Sequence, residues 1–478
     1  MKKNILKIVF TLFVFSSFTA CTSEFDETNI DPNLTTSVTP GSLINPVIYG
    51  LSSNNALKNY DITSALMQVH VPYPDVTAGG VHRFDITQGT GSSTWSSGYN
   101  WLANVNEMLK RSKELNLPNY EAIALTLRAW GFSNLTDMFG DIPMSEALRA
   151  EEGISQPKFD TQKDIYEILL ADLEKANSLY NKAIPLPYTA DLLYNNNLTA
   201  WQKFTNSLHL RLLLRTSNKS DFNSSQKIIT ILSDVQKYPI FASNADNAVL
   251  QVTGISPNLS PWPRPQDYNN GRAMGSFFVD KLVEREDPRI NFIATKARDF
   301  NNQEIGFKGI PAGYNGSEIF DYAPSGLVRL QAEAPMIIVI MTYSEVEFIK
   351  AEMAQKGLYN NAETHYVNGV TAAIEYLTQQ PIPSNYFDNI NNKYNSTLEQ
   401  IITQKYLSLY FVDYQQWYEY RRTGFPKLPQ IQAGRNNNIM PSRLLYPTSV
   451  QTHNYNNYLK ALEIMGPDDI NTKVWWEK

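Results

Sequence analysis

Five histidines and one cysteine are the residues of this 478-residue chain with the sharpest chemistry, and their spacing excludes most of it. His70, His82, His209, His365 and His453 form no H-E-x-x-H pair for zinc, and a single cysteine allows no C-x-x-C. No G-x-S-x-G elbow offers a nucleophilic serine, and no P-loop is present to cradle phosphate. "GTGSST" at 89–94 begins like a dinucleotide loop but lacks the third glycine and a following βαβ pattern. Acid groups such as Glu284/Glu286/Asp287 or Asp468/Asp469 have the chemistry of glycosidase carboxylates, yet 47 acids produce such neighbours by chance. The residues point away from catalysis, with no cofactor or metal called for.

Binding chemistry is better represented. Sugars present apolar C–H faces and vicinal hydroxyls, so their sites pair exposed aromatic rings with planar polar groups. Two stretches have that composition and read as loops. Residues 70–101, "HVPYPDVTAGGVHRFDITQGTGSSTWSSGYNW", supply Tyr73, His82, Arg83, Trp95, Tyr99 and Asn100. Residues 261–272, "PWPRPQDYNNGR", supply Trp262, Arg264, Asp267, Tyr268 and Asn269. For each ring two readings stay open: a platform for ligand, or a cap on the core. Trp101, Trp130 and Trp201 sit in helical patterns and are expected in the core.

The lone cysteine, Cys21, follows a secretory pattern. Lys2, Lys3 and Lys7 precede an apolar run from Ile8 to Phe18, then the small residues Thr19-Ala20. That run is too short to span a bilayer as a helix, which needs about 20 residues. Residues 1–20 therefore read as a signal peptide, and cleavage before Cys21 would leave a cysteine for lipid attachment, as in a bacterial lipobox. Phe18 stands where that motif usually has Leu, and a buried structural cysteine is the alternative. Two or three acyl chains anchor stably where one does not. From Cys21 to Leu57 there is no Lys or Arg, and Pro32, Pro40 and Pro46 punctuate the segment, so 21–57 reads as a tether. The formal charge of −6 and pI near 5.6 argue against nucleic acid as a partner.

Helices must position the loops. Apolar periodicity pairs 99–116 with 120–137, 162–183 with 199–217, 342–357 with 361–380, and 397–410 with 412–424. The third pair opens with Thr342 and Glu345 in capping-box spacing and closes its first helix on Gly357. The expected fold is mostly α, with about four tetratricopeptide-like helix pairs, or else an irregular bundle. A loop-rich, irregular region at about 240–335 interrupts the pairs, and loops of that length are usually functional. "APMIIVIMTY", which closes this region and runs on to Tyr343, reads as a buried strand.

Several blocks together resemble the SusD/RagB family: "FDETNIDPN" after Cys21, "LRAWGFSNLTDMFGDIPMSEAL", "EDPRI", "TYSEVEFIKAEMAQKG", "QKYLSLYFVDYQQWYEYRRTGFPKL", "SRLLYPTSVQTHNYNNY" and "KVWWEK". The resemblance spans nearly the whole chain after Cys21 in the family's order and is strongest to its SusD-like branch. It implies one globular domain over 58–478 whose loop-rich region holds a glycan site, with no enzyme activity. It implies a lipid-anchored, surface-exposed outer-membrane protein that captures oligosaccharides for a SusC-like TonB-dependent transporter; a peptide-capturing protein of the same architecture is the alternative. The residues expected to hold ligand are Tyr73, Arg83, Trp95, Trp262, Arg264, Asp267 and Tyr268. The "GDIP", "YSEVEFIKAE", "RRTG" and "RLLYP" blocks are expected to be structural.

Overall fold

The computed structural model describes residues 38–75, 79–431 and 433–478, of which Pro40–Lys478 make one folded unit. The expected signal peptide, Cys21 and the start of the tether lie outside the described residues.

Its first element corrects the tether. Helix α1 spans Pro40–Lys58 and buries Ile44, Val47, Ile48 and Leu51. Each such side chain contributes about 1.5–3 kcal/mol by leaving water, so this segment belongs to the core. Gly50 lets it approach Trp101 so closely that an added Cβ would stand 1.9 Å from the indole. The prolines misled the reading: Pro40 opens the helix, and Pro46 is accommodated within its second turn.

The four expected pairs are present as α2 (Ser92–Glu114) with α3 (Pro118–Phe139), α4 (Gln162–Leu179) with α5 (Leu198–Arg215), α8 (Tyr343–Gln355) with α9 (Ala362–Thr378), and α10 (Leu398–Ser408) with α11 (Gln415–Thr423). Between the second and third pairs lie α6 (Ser224–Ser233) and α7 (Ser276–Val283); α12 (Thr448–His453) and α13 (Tyr455–Met465) close the chain. The architecture is mostly α, built on tetratricopeptide-like helix pairs. Strands are short: β1 (His70–Pro72) pairs with β3 (Arg272–Met274), β2 (Ala248–Val252) with β6 (Met336–Met341), and β4 (Arg298–Asp299) with β5 (Tyr322–Ala323), all antiparallel. The run "MIIVIM" is β6, as its composition implied.

The capping box is half formed. The Thr342 hydroxyl accepts the Glu345 backbone N–H, but the Glu345 carboxylate instead takes two hydrogen bonds from Arg211 on α5, at 2.8 and 2.6 Å. A buried ionic network ties the last pair to the third. Arg422 donates to both oxygens of Glu352, at 2.7 and 2.6 Å, and to Glu419, which also receives Lys405 at 2.8 Å. Arg289 and Asp287 of "EDPRI" form a second bidentate pair, with the Tyr386 hydroxyl donating to Asp287 at 2.8 Å. Such pairs fix one arrangement of helices because breaking them strands a buried charge. Two of the blocks expected to be structural, "YSEVEFIKAE" and "RRTG", supply Glu345, Glu352 and Arg422 to these contacts.

Candidate ligand-binding face

The two stretches that read as sugar loops fold differently. In the second, the aromatic rings turn inward. Tyr268 is fully buried on a short helical turn, Gln266–Asn269, and its hydroxyl meets that of Tyr410 at 3.0 Å. Trp262 is 5% exposed and packs edge-on against Tyr268, with ring centroids 5.2 Å apart, and against Tyr60 at 6.0 Å. The expectation that these two rings are ligand platforms is corrected: each buries on the order of 150–250 Å² against α1-proximal aromatics, and no ligand face remains. The loop is held down from both ends, by Tyr60 Oη donating to the Tyr268 carbonyl at 2.9 Å and Ser260 Oγ donating to that of Ala332 at 2.7 Å. Arg264 and Asp267 do stay at the surface, paired with each other at 2.9 Å.

The first stretch is only partly loop. The helix begins at Ser92, seven residues before the periodicity showed it, so Trp95, Tyr99 and Asn100 stand on α2. The Trp95 N–H already bonds the Gly91 carbonyl at 2.9 Å. Serines and glycine at 92–98 hide this turn from any reading that relies on apolar spacing. Trp95 is half-buried, its ring braced by Tyr99 at 5.0 Å, Phe139 at 5.1 Å and Tyr446 at 5.9 Å. With Tyr99, Phe159 and Pro157 it walls an open cleft of about 320 Å³, and Ser449, His453 and Asn454 contribute polar groups. Tyr99 is fixed by its hydroxyl donating to the Pro143 carbonyl at 2.7 Å, and burial holds its pKa well above the usual tyrosine range. A rigid aromatic wall beside polar side chains is what a sugar ring's two kinds of surface require.

Tyr73 lies in a second aromatic group, which loop-rich segment 300–323 completes. Its ring sits 5.4 Å from Tyr314 and 6.2 Å from Phe320, and Phe320 is 5.7 Å from Tyr322. Tyr314 is buried, whereas Tyr73, Phe320 and Tyr322 are each half-exposed. Lys308 Nζ lies 5.3 Å from the Tyr322 centroid. Arg83 borders this loop cluster: its Nε donates to the Ala433 carbonyl at 2.9 Å, and its own carbonyl accepts the Arg435 N–H at 2.7 Å. His82 is buried with Nε2 3.2 Å from the Tyr314 carbonyl, and burial lowers its pKa.

Sequence reasoning missed Phe159, His453, Asn454, Phe320 and Tyr322. His453-Asn454 stood inside a block that carried only the family resemblance, and Phe320-Asp321-Tyr322 carried only the signal of an aromatic pair in a long loop. Among the described residues, no group of three or more His, Cys, Asp and Glu could hold a metal ion, and no helix is long and apolar enough to cross a membrane.

A family model described as "Starch-binding associating with outer membrane" matches residues 32–447. The chain belongs to the SusD-like family. SusD-like proteins bind rather than catalyse, and the family is associated with the outer membrane. Among solved structures, a chitin-binding protein superposes with a TM-score of 0.80 at 26% identity, covering 92% of this chain and all of its own. A SusD homologue of Bacteroides fragilis superposes at 0.79 with 23% identity and the same coverage, which shows the fold. Among curated proteins, a short-chain dehydrogenase of Aspergillus ruber is 23% identical over 141 residues. This chain spans only 40% of that relative's length, and the overlap carries no activity across.

Proposed function

We propose that this SusD-like chain is a non-catalytic surface lipoprotein, anchored through Cys21, that captures oligosaccharides and hands them to a SusC-like TonB-dependent transporter. The observation that carries the capture step is the Trp95 cleft. A fixed indole and phenol face an open groove about the size of a small-ligand site, with hydroxyl, imidazole and amide groups at its edge. The chitin-binding relative supports a glycan as ligand, and the family's outer-membrane association supports the location. Tyr73, Phe320, Tyr322 and Arg83 offer a second contact area for a longer chain, with the exposed Arg264–Asp267 pair as a further polar contact. The transporter partner rests on family membership.

Calorimetric titration with chito- and malto-oligosaccharides tests capture. Binding that weakens in Trp95→Ala supports the reading. Binding of oligopeptides with no response to any oligosaccharide would overturn it in favour of peptide capture. Co-purification of a β-barrel with the chain from outer membranes, abolished in Cys21→Ser, tests anchoring and partnership.

A further inference from the structure

Three asparagines of the chain precede a glycine: Asn270-Gly271, Asn315-Gly316 and Asn368-Gly369. Glycine has no Cβ to shield its backbone nitrogen, so that nitrogen can reach the side-chain carbonyl carbon of the preceding asparagine and close a five-membered imide. Three conditions decide whether it does. The glycine N–H must be free of hydrogen bonds, the chain must be able to turn about the asparagine, and the charge that develops on the amide oxygen must be stabilised.

Two of the pairs are closed to this chemistry. Asn368 and Gly369 lie inside α9, where helical bonding commits the Gly369 N–H, and Gly369 is buried against the Phe348 ring. The Asn368 amide is tied as well, donating to Glu347 at 3.3 Å. Asn270 is exposed, but the chain is pinned on both sides of its peptide bond. Its own N–H bonds the Gln266 carbonyl at 2.9 Å, and the Gly271 carbonyl accepts the Tyr73 N–H at 3.0 Å. Among the described residues, no donor reaches the Asn270 side-chain oxygen.

Asn315-Gly316 meets all three conditions. It sits in residues 311–321, which form no helix or strand, with Gly316 and Ser317 exposed. Among the described residues, the Gly316 N–H has no hydrogen-bond partner, and neither has the Asn315 side-chain nitrogen that must leave. The Asn315 oxygen, by contrast, accepts two bonds, from the Ser317 N–H at 3.0 Å and the Ser317 hydroxyl at 2.5 Å. That turn curls the side chain back over the Gly316 peptide, and both donors point at the oxygen on which negative charge grows. Gly316 has a φ of +87°, a conformation suited to glycine.

We infer that Asn315 is a site of spontaneous covalent modification, in which the Gly316 nitrogen displaces the side-chain amide. The bond from Gly316 N to Asn315 Cγ forms, the Cγ–Nδ2 bond breaks, and the Gly316 proton leaves with Nδ2 as ammonia. Water then opens the imide. Attack at Cγ gives aspartate and attack at the main-chain carbonyl gives isoaspartate, so each event consumes a water and releases an ammonia, with no oxidant or cofactor. Either product carries a new carboxylate. Isoaspartate also adds a methylene to the main chain between Tyr314 and Phe320, whose rings lie 5.4 and 6.2 Å from Tyr73. The aged chain therefore presents an altered aromatic group, whatever that group binds.

Trypsin releases residues 309–329, in which Asn315 is the only amide side chain, so a mass change there assigns itself. The folded full-length chain is incubated in mildly alkaline buffer, sampled over days, digested in mildly acidic buffer and analysed by chromatography and mass spectrometry, beside a sample held in urea. Peptide 309–329 should gain the mass of NH2 replaced by OH and split into two species, at least about tenfold faster than the peptides bearing Asn270 and Asn368. In urea all three should react at like rates. Because the nucleophile is the deprotonated nitrogen, the native rate should rise about tenfold per pH unit. Ser317→Ala removes one of the two donors and should slow the reaction severalfold, and Asn315→Gln, whose ring would be larger by an atom, should abolish it. An Asn315 that stays intact in the folded chain while it reacts in urea would overturn the proposal. So would Asn270 or Asn368 keeping pace with it in the folded chain, and a rate unmoved by Ser317→Ala would refute the assignment of the reaction to this turn.

Discussion

Glu352 offers the sharpest quantitative check on the packing that holds the binding face in place. Its carboxylate is fully buried on α8 and accepts two hydrogen bonds from Arg422, with Lys356 at 2.7 Å. Burial by itself would raise its pKa, but Arg422 and Lys356 more than offset that, and it falls from 4.5 to about 2. A shift of that size, at about 1.4 kcal/mol per pH unit, corresponds to about 3 kcal/mol of folding free energy. Because the folded-state pKa is depressed, that stability is fully present above the unfolded value near 4.5 and is lost as pH falls toward 2. At about pH 3.5 the linkage relation gives a loss of about 1.4 kcal/mol. Glu352→Gln keeps the shape and removes the charge, leaving Arg422 to Glu419 alone. We expect the variant to be about 3–5 kcal/mol less stable at neutral pH, as for other broken buried pairs. The gap should narrow by about 1.4 kcal/mol at about pH 3.5, where the wild type has begun to lose this contribution. Urea unfolding followed by tryptophan fluorescence at the two pH values measures both numbers. Glu419, which Arg422, Lys405 and Arg215 hold well below the carboxylate range against its burial, is present in both proteins. A gap identical at both pH values would refute the assignment of this stability to the ionised Glu352–Arg422 pair.

Trp95→Ala should weaken oligosaccharide binding about tenfold, or about 1.4 kcal/mol, in calorimetry, with the far-UV spectrum unchanged. Tyr268→Phe removes the buried hydroxyl contact to Tyr410 and should lower stability by about 1 kcal/mol while leaving glycan affinity at the wild-type value, the reverse of what an exposed platform would show. Gly50→Ala brings a methyl group into the Trp101 ring and should cost about 1–3 kcal/mol in urea unfolding. Thr342→Ala removes the cap on α8 and should cost about 1 kcal/mol by the same measurement.

The amino-acid sequence by itself determined the four helix pairs, because each carries a continuous apolar stripe and local stops such as Gly357, whose φ of +74° ends α8 where the pattern did. It also determined the absence of the catalytic motifs sought, since those are spacings of residue types that local chain geometry requires. It misjudged α1 and the first turn of α2, where proline, glycine and serine replace the usual helix formers and only packing against Trp101 and Phe139 makes helix the better state. The site was least legible. Trp95 and Trp262 have the same residue type and similar Pro-, Gly- and Ser-rich surroundings, yet one borders a cleft and the other is sealed beneath Tyr60 and Phe411. Which ring faces water depends on neighbours about 150 to 360 residues away, such as Tyr446 and Asn454 for Trp95, and Phe411 for Trp262. Periodicity records how a segment meets the core as a whole; exposure of a single ring is set by long-range packing, and only the tertiary structure decides it.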